Sequence, residues 1–247
     1  MRKKMLVITC VLMLNSMPAL AYNQVDLDNL LKTGNCPQGD LSGAQLINAN
    51  LTNADLSGAD LSFTNLEGAD LEGASFAGAK LVKANLKRVY AECANLSGAD
   101  LSHANLRDAI FSRANFSGAN AFRTSFNHTL IDFASFRSAN AQEATFDYAD
   151  GYFTDFGTAN LANSWFYQSD LRKADMSSAN LYNAKLQKAD LTEANLRSAN
   201  LTNSILRDAN LSKANLDCAT LENANMIGAK TDETRFGKAI MSNIKIK

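Results

Sequence analysis

The sequence has 247 residues, of which 24 are basic and 25 acidic, for a net charge of −1 at neutral pH. This near-neutral balance disfavours nucleic acid or an anionic membrane surface as a partner. Apolar residues make up 46% of the chain and only two residues are proline, so the composition predicts an ordered protein with a sizeable core.

The N-terminus has the three parts of a secretory signal peptide, residues 1–21. Arg2, Lys3 and Lys4 are positive, and residues 5–14 form an apolar run that is too short to span a membrane. The segment ends in Ala-Leu-Ala, a small-residue cleavage site. Cleavage leaves 21 basic and 25 acidic residues, a net charge of −4. An uncleaved membrane anchor is the alternative.

Residues 22–36 predict an N-terminal cap for the structure that follows. Leu27, Leu30 and Leu31 fit one face of a short amphipathic helix, and Gly34 is a typical helix stop. A cap is needed because an open sheet edge invites end-to-end aggregation.

A five-residue period dominates residues 37–241. Ala usually stands two residues before each repeat centre, and Asn or Asp usually stands one residue before it. The register does not slip between Leu41 and Phe236. Neither a helix, with a period of 3.6, nor a strand, with a period of 2, places side chains in this way. The first seven centres are Leu41, Leu46, Leu51, Leu56, Leu61, Leu66 and Leu71.

This pattern, A[DN]LXX, resembles the pentapeptide-repeat family over residues 37–240. The resemblance implies an all-β fold, a right-handed quadrilateral parallel β-helix in which five residues form one side of a square and twenty residues form one coil. About ten coils follow from the length of the chain. We number the four sides in chain order from the one centred on Leu41. Some secreted members carry a second Cys near position 39, but here that residue is Gly39, so the resemblance provides no disulfide partner for Cys36.

The middle coils allow the four-sided assignment to be checked. Two consecutive coils place Phe on opposed sides and smaller residues on the other two sides, as dense packing demands. Their centres are Ala121, Phe126, Ile131 and Phe136, then Ala141, Phe146, Gly151 and Phe156. After the repeats, Phe236 and residues 240–241 are expected to cover the last coil, and residues 242–247 to form a basic tail.

The repeats contain no recognisable catalytic set, so we predict no enzymatic activity, no cofactor and no metal. Cys36, Cys93 and Cys218 are an odd and widely spaced set, which is not a disulfide framework. His103 and His128 lack the spacing of metal ligands.

An aspartate column recurs on the third side. Asp150, Asp170 and Asp190 are twenty residues apart and should stack about 4.8 Å apart. Binding of a divalent cation is one interpretation. Solvation, or bonding to nearby backbone, is the alternative.

Outward positions of the third side depart from the polar pattern. Large apolar residues replace Asn or Asp before the centre in three consecutive coils, and three aromatic residues lie outward one or two coils on. A contiguous apolar stripe is typical of an interaction surface. We call the six residues the apolar patch: Tyr90, Ile110, Leu130, Phe133, Tyr152 and Phe153.

Two other interpretations of the outward residues stay open. Covering of the patch side chains by one another, or by the N-terminal segment, is the alternative to an exposed surface. Tyr148, Trp165 and Tyr167 are candidate extensions of the patch. On the fourth side, Ser-Gly pairs such as residues 97–98 and 117–118 make a smooth wall. That wall is either a dimer face or a simple requirement of the turn.

These features predict a non-catalytic, exported β-helical scaffold or protein-interaction module. Its expected location is the periplasm, or an equivalent lumen, or outside the cell, with a protein partner or a second copy and no nucleic acid or membrane after signal cleavage. The family resemblance also implies a DNA-mimicking protector of gyrase as an alternative. The signal peptide, the weak net charge and the lack of an inserted loop oppose it. A secreted host-directed effector is a further alternative.

Overall fold

The computed structural model describes residues 22–246, so the predicted signal peptide lies outside the described residues. One helix, α1, runs over Gln24–Thr33. From Asp40 to Lys245, every fifth residue forms a single-residue parallel bridge with the residue twenty positions away, and no longer strand occurs in the described chain. This ladder is the right-handed quadrilateral β-helix that the sequence predicts. Its last bridge joins Asn225 to Lys245, four residues beyond the expected end of the solenoid at Met241.

Each side of the square ends in a tight turn. The carbonyl oxygen of Leu41 accepts a hydrogen bond from the amide of Ala44 at 3.0 Å, and Gly43 between them has a φ of +73°. In other repeats this position holds Asn or a larger residue with the same left-handed backbone, for example Asn53 with a φ of +58°. Glycine adopts this conformation at no steric cost. The turn therefore accounts for the Ser-Gly pairs of the fourth side.

The Asn or Asp before each centre stabilises the same turn. The carboxylate of Asp60 accepts a hydrogen bond from the amide of Ser62 at 3.0 Å, and Asn180 accepts one from the amide of Tyr182 at 3.2 Å. Amide side chains also bond from coil to coil, as Asn180 donates to Asn160 at 3.1 Å. Such short polar side chains satisfy turn amides better than any other residue type, which explains their place in the repeat.

The core is a column of fully buried side chains along the axis. The centre of each side and the Ala two residues earlier both point inward. Across one coil, the rings of Phe146 and Phe156 meet edge to face at 5.6 Å between centroids. Along the axis, Phe126 and Phe146 stack at 4.6 Å. Gly151 supplies the space that the two opposed rings of its coil need, so the predicted volume compensation is confirmed.

Helix α1 covers the N-terminal end of the solenoid. It begins after Asn23, whose side chain accepts a hydrogen bond from the amide of Val25, and it ends at Gly34 with a φ of +79°. Leu27 and Leu30 are buried in the same core as the first coil. The helical cap that these leucines predict is therefore present.

Two side chains of the cap satisfy the open backbone of the first coil. Asp26 accepts a hydrogen bond from the amide of Asp40 at 2.8 Å, and Asn35 accepts one from Asp55 at 2.8 Å. Cys36 is buried. Its burial, and to a smaller extent the charge of Asp26, raise the pKa of its thiol. A side chain at Gly39 would overlap the Cys36 sulfur, so the cap is packed around a glycine at this position.

Candidate interaction surface

The apolar patch is a contiguous surface of the third side. Parallel bridges join Tyr90 to Ile110 and Ile110 to Leu130, so these side chains lie directly above one another. Leu130 is 40% exposed and Tyr90 is also exposed, whereas Ile110 between them is partly buried. The column that the sequence predicts is therefore formed, and solvent reaches it.

Three aromatic rings extend the column toward the next corner of the square. Phe133 and Phe153 stack at 5.5 Å between centroids with nearly parallel planes. The ring of Tyr152 meets both edge on, at 5.9 and 4.6 Å. Phe133 nevertheless stays 52% exposed and Phe153 45% exposed. The rings cover their neighbours' faces and present their outer edges to solvent.

The N-terminal cap does not lie over the patch. The hydrogen bonds of α1 and the residues that flank it reach Asp40 and Asp55 in the first coil, whereas the patch begins with Tyr90. Of the two alternatives for these side chains, mutual covering is thus partial, and covering by residues 22–36 does not occur.

The two exposed phenylalanines have the left-handed turn backbone that the other repeats share. Phe133 and Phe153 both occupy the turn position with positive φ, at +58°. A bulky side chain in the left-handed region is disfavoured relative to Gly or Asn. The turn therefore does not by itself select an aromatic ring at these positions.

A carboxylate pair lies within the patch. Asp132 accepts a hydrogen bond from the amide of Tyr152 at 3.1 Å. Burial and the neighbouring charge of Asp150 raise the pKa of Asp132 to about 6. Arg172 is bonded to Asp170 through its Nε at 2.8 Å. Burial acts to raise the pKa of Asp170, but these arginine bonds outweigh it and lower that pKa.

Positive side chains flank one end of the aromatic rings. The ammonium of Lys173 lies 5.3 Å from the centroid of Phe153 and 5.6 Å from that of Tyr152. The guanidinium of Arg172 lies 5.6 Å from the Tyr152 ring. These cation–π contacts fix the orientation of the rings.

The adjoining corner adds a second aromatic group. Tyr148 stacks on His128 at 4.8 Å and meets Tyr167 edge on at 5.6 Å. Two of the predicted extensions, Tyr148 and Tyr167, are therefore brought together. The structure adds His128, which can be found in the sequence only by comparing residues twenty positions apart. Trp165 is exposed on the second side.

The aspartate column is formed by parallel bridges from Asp150 to Asp170 and from Asp170 to Asp190. Its carboxylates bind protein donors, because Asp170 accepts from Arg172 and Asp190 accepts from the amide of Thr192 at 3.0 Å. These bonds support the interpretation of local bonding. Residues 22–246 contain no group of His, Cys, Asp and Glu with metal-site geometry, and no helix of that range is long and apolar enough to cross a membrane.

Comparisons with known proteins identify a family and structural relatives. The family model for pentapeptide repeats, in eight copies, matches the chain. HetL, a pentapeptide repeat protein involved in heterocyst differentiation regulation from the cyanobacterium Nostoc sp. strain PCC 7120, is 28% identical; the match covers 89% of this chain and 94% of HetL with a TM-score of 0.52. The family model for pentapeptide repeats matches residues 40–76, 54–90, 69–108, 92–127, 154–192, 194–230 and 204–243 of this chain.

A second solved structure shares the fold. QnrB1, a plasmid-mediated fluoroquinolone resistance protein, is 18% identical, with coverage of 72% of this chain and 91% of QnrB1 and a TM-score of 0.52. At that identity the likeness shows the fold alone. A search of curated protein sequences gave no significant match.

Proposed function

The chain belongs to the pentapeptide-repeat family, and from this premise we propose that it is a non-catalytic, exported scaffold whose apolar patch docks a protein partner. One observation carries the proposal: exposed apolar and aromatic side chains are contiguous on the third side of a rod whose repeat mostly places polar residues outward. Two of them, Phe133 and Phe153, occupy strained turn positions that Gly or Asn would fill more easily. Surfaces of this kind mark protein contacts.

Export to the periplasm, to an equivalent lumen or out of the cell is supported by residues 1–21, which have the pattern of a signal peptide. A gyrase-protecting role is less favoured. The ladder from Asp40 to Lys245 runs without an inserted loop, and the surface is close to neutral. A DNA mimic needs a strongly acidic rod to compete for a DNA-binding surface.

The experiment immobilises three forms of residues 22–247 as bait and compares the proteins that each form retains from a periplasmic extract. The first is the parent chain, and the second removes the patch with Ile110→Ser, Leu130→Ser and Phe153→Ser. The control carries Ile47→Ser, Phe63→Ser and Tyr182→Ser, three exposed apolar residues outside the patch. Because five of the six side chains are exposed and Ile110 is only partly buried, every form should keep the melting temperature of the parent within a few degrees.

We expect at least one protein to be retained by the parent and by the control but lost from the patch variant. Retention of the same proteins by all three forms would show that the patch is not the docking surface. Unfolding of the patch variant alone would show that these residues belong to the core.

A further inference from the structure

Charged residues of opposite sign lie at the two ends of the apolar patch. Glu72 lies one coil before Tyr90, the first patch residue, and Glu92 lies in the same coil as Tyr90. At the other end, Arg172 and Lys173 lie one coil beyond the last patch residues. Glu72 is exposed and belongs to no ion pair within residues 22–246. The patch is therefore an apolar stripe with free acid at one end and basic side chains at the other.

The basic side chains keep donors to offer although they have acidic neighbours of their own. Arg172 binds Asp170 through its Nε and Nη2, whereas its Nη1 donates no hydrogen bond within residues 22–246. The Arg172 side chain is 50% exposed. Lys173 lies 3.8 Å from Glu193, and such a surface pair holds a lysine only weakly. A carboxylate on a facing surface would therefore find donors here.

The third side is regular enough for a facing surface to be compared with it residue by residue. Its outward residues form three columns along the rod, made by the residue before each centre and by the first and second residues after it. Leu130, Asp132 and Phe133 are members of the first, second and third columns. Neighbouring members lie about 4.8 Å apart, so the six coils from Glu72 to Arg172 span roughly 24 Å.

A second copy of this side, turned end for end, complements these columns. We propose that the partner of the apolar patch is a second copy of the chain, in an antiparallel side-by-side dimer; this rests on the docking role proposed above and names the partner. The two-fold axis lies across the third side, midway between the coils of Ile110 and Leu130. It reverses the order of the coils and leaves each column facing the same column of the other copy.

In this register apolar residues meet apolar residues and opposite charges meet at both ends. Ile110 of one copy faces Leu130 of the other in the first column. Arg172 faces Glu72 in the second column, with Lys173 beside it in the third. Each contact occurs twice, because a two-fold interface is self-complementary. The two ends of the patch thus become two equivalent ion-pair sites that flank an apolar centre.

The aromatic residues of the patch also face groups that suit them. Arg113 faces Phe133 in the third column, where a guanidinium and a ring attract each other. Tyr152 faces Glu92 in the second column, where a phenol hydroxyl meets a carboxylate acceptor. Both contacts join side chains that are partly or fully exposed in the single chain. The same axis that pairs the charges therefore also pairs the rings.

One pair in this register opposes like charges. Asp70 faces Asp170 at the ends of the first column. Arg172 already binds the Asp170 carboxylate and would lie between it and Glu72 of the other copy. This shared arginine reduces the repulsion.

Other arrangements of two copies lose the complementarity. A shift of the axis by half a coil toward the C-terminus places Asp132 opposite Asp132 of the other copy. The same shift toward the N-terminus places Glu92 opposite Asp132. With the axis along the rod, the copies run parallel, and Arg172 and Glu72 each face their own counterparts. Like charges that face each other across an interface are costly, so the antiparallel register is selected.

The test measures the molecular mass of residues 22–247 by light scattering up to roughly 300 µM, because contacts of this small size are commonly weak. The parent is compared with the patch variant and the control variant described above. Three charge variants share Asp170→Asn, which removes the carboxylate that Arg172 binds. One adds Glu72→Arg, one adds Arg172→Glu and the third adds both. Asp170→Asn alone is their reference, and circular dichroism confirms that each form stays folded.

We expect dimers for the parent, for the control variant and for Asp170→Asn alone, and monomers for the patch variant and for each single charge reversal. The double reversal should regain the dimer mass, because its new arginine and glutamate again face each other. A parent that is monomeric at every concentration would overturn the proposal. So would a patch variant or a single reversal that dimerises as its reference does, or a double reversal that stays monomeric.

Retention from the extract separates the two proposals. A monomeric parent whose patch retains a different protein would leave the docking role standing and exclude the second copy as the partner. A dimeric parent that retains only further copies of this chain supports both. A patch variant that loses neither the dimer nor the retained proteins would overturn both.

Discussion

Two phenylalanines three residues apart, Phe153 and Phe156, show how position decides the role of a side chain. Phe153 occupies the turn with a φ of +58° and is half exposed, whereas Phe156, three residues on, is fully buried. The ring of Phe153 gains a stack with Phe133 but holds its backbone in a region that aromatic residues avoid. Its net contribution to stability should therefore be small, in contrast to that of Phe156.

We expect Phe153→Asn to change the free energy of unfolding by less than about 1 kcal/mol, because relief of the left-handed backbone offsets the loss of a ring contact. Phe156→Ala should destabilise by about 3–5 kcal/mol, as a cavity is left in the core. Chemical denaturation of both variants measures the difference. A large loss for Phe153→Asn would mean that this ring supports the fold and is not reserved for a partner.

The carboxylate of Asp132 makes the stability of the folded chain depend on pH. Burial and the charge of Asp150 raise its pKa from 3.8 to about 6, so the folded chain binds more protons than the unfolded chain between these values. Stability then falls as pH rises from about 4 to about 6, and the loss persists above that window. A shift of this size corresponds to about 3 kcal/mol when unscreened, and solvent reduces it to roughly 1 kcal/mol at this partly exposed site.

We therefore expect Asp132→Asn to raise the melting temperature by about 2–4 °C at pH 7 and to leave it unchanged near pH 3.5. Asparagine keeps the oxygen that accepts the bond from Tyr152. Asp147→Asn is the control, because Asp147 accepts the equivalent bond from the amide of Tyr167 at 2.8 Å. Equal shifts at both pH values, or the same gain in the control, would contradict the assignment.

At the scale of the coil, each four-sided layer has a fixed interior volume. In the layer of Gly151, the opposed rings of Phe146 and Phe156 leave no room for a third large side chain. Even a Cβ at Gly151 would lie 2.9 Å from the Thr154 hydroxyl and 3.3 Å from Leu171. The alternation of large and small residues is thus a property of the layer and not of any one repeat.

We expect Gly151→Leu to destabilise the protein by about 1–3 kcal/mol through overpacking. Leu191→Met is the matched control, because it lies at the centre of the same side and conserves volume, so its effect should stay below about 1.5 kcal/mol. Thermal unfolding followed by circular dichroism measures both. An unchanged melting temperature for Gly151→Leu would argue that this layer is looser than its ring contacts indicate.

Once the family resemblance implies coils of twenty residues, the sequence predicts the elements of this fold well. That spacing alone predicts that Ile110 lies over Tyr90 and that Phe146 lies over Phe126. Contacts that run diagonally between columns are not visible in the same way. Asp132 and Asp150 are eighteen residues apart, and Tyr152 packs on Phe133 at a separation of nineteen.

The turn backbone and the C-terminal end also escape the pattern. The positive φ shared by residues as different as Asn53 and Phe153 is set by the closing hydrogen bond of each turn, whatever the side chain. Ile244 stands at a position where the repeat usually has Ala. The ladder still continues to Lys245, because its bridges join backbone groups and do not require that Ala. Side-chain patterns alone therefore place the end of the solenoid too early.

For the whole molecule, about ten coils at a spacing near 4.8 Å make a rod of roughly 50 Å. Leu130 lies five coils before Lys230 in the last coil, so the apolar patch stands near the middle of the rod.

The junction between the predicted leader and the folded chain is the last feature at this scale. Tyr22 packs against the core, and the amide of Asn23 donates to the carbonyl of Asp40 at 2.9 Å before α1 begins at Gln24. Cleavage after Ala21 would therefore remove the leader and keep every residue of the cap. A cut even three residues later would remove the helix N-cap and its bond to the first coil.

We expect the full chain, produced in a Gram-negative bacterium, to accumulate in the periplasm with Tyr22 as its first residue, as N-terminal sequencing of the fractionated protein would show. Replacement of the positive residues by Arg2→Glu, Lys3→Glu and Lys4→Glu should keep the chain in the cytoplasm with its leader intact, because the positive segment directs insertion. Recovery of uncleaved chain in the membrane fraction would identify an anchor instead. Cytoplasmic accumulation of the parent would remove the main argument against a role inside the cell.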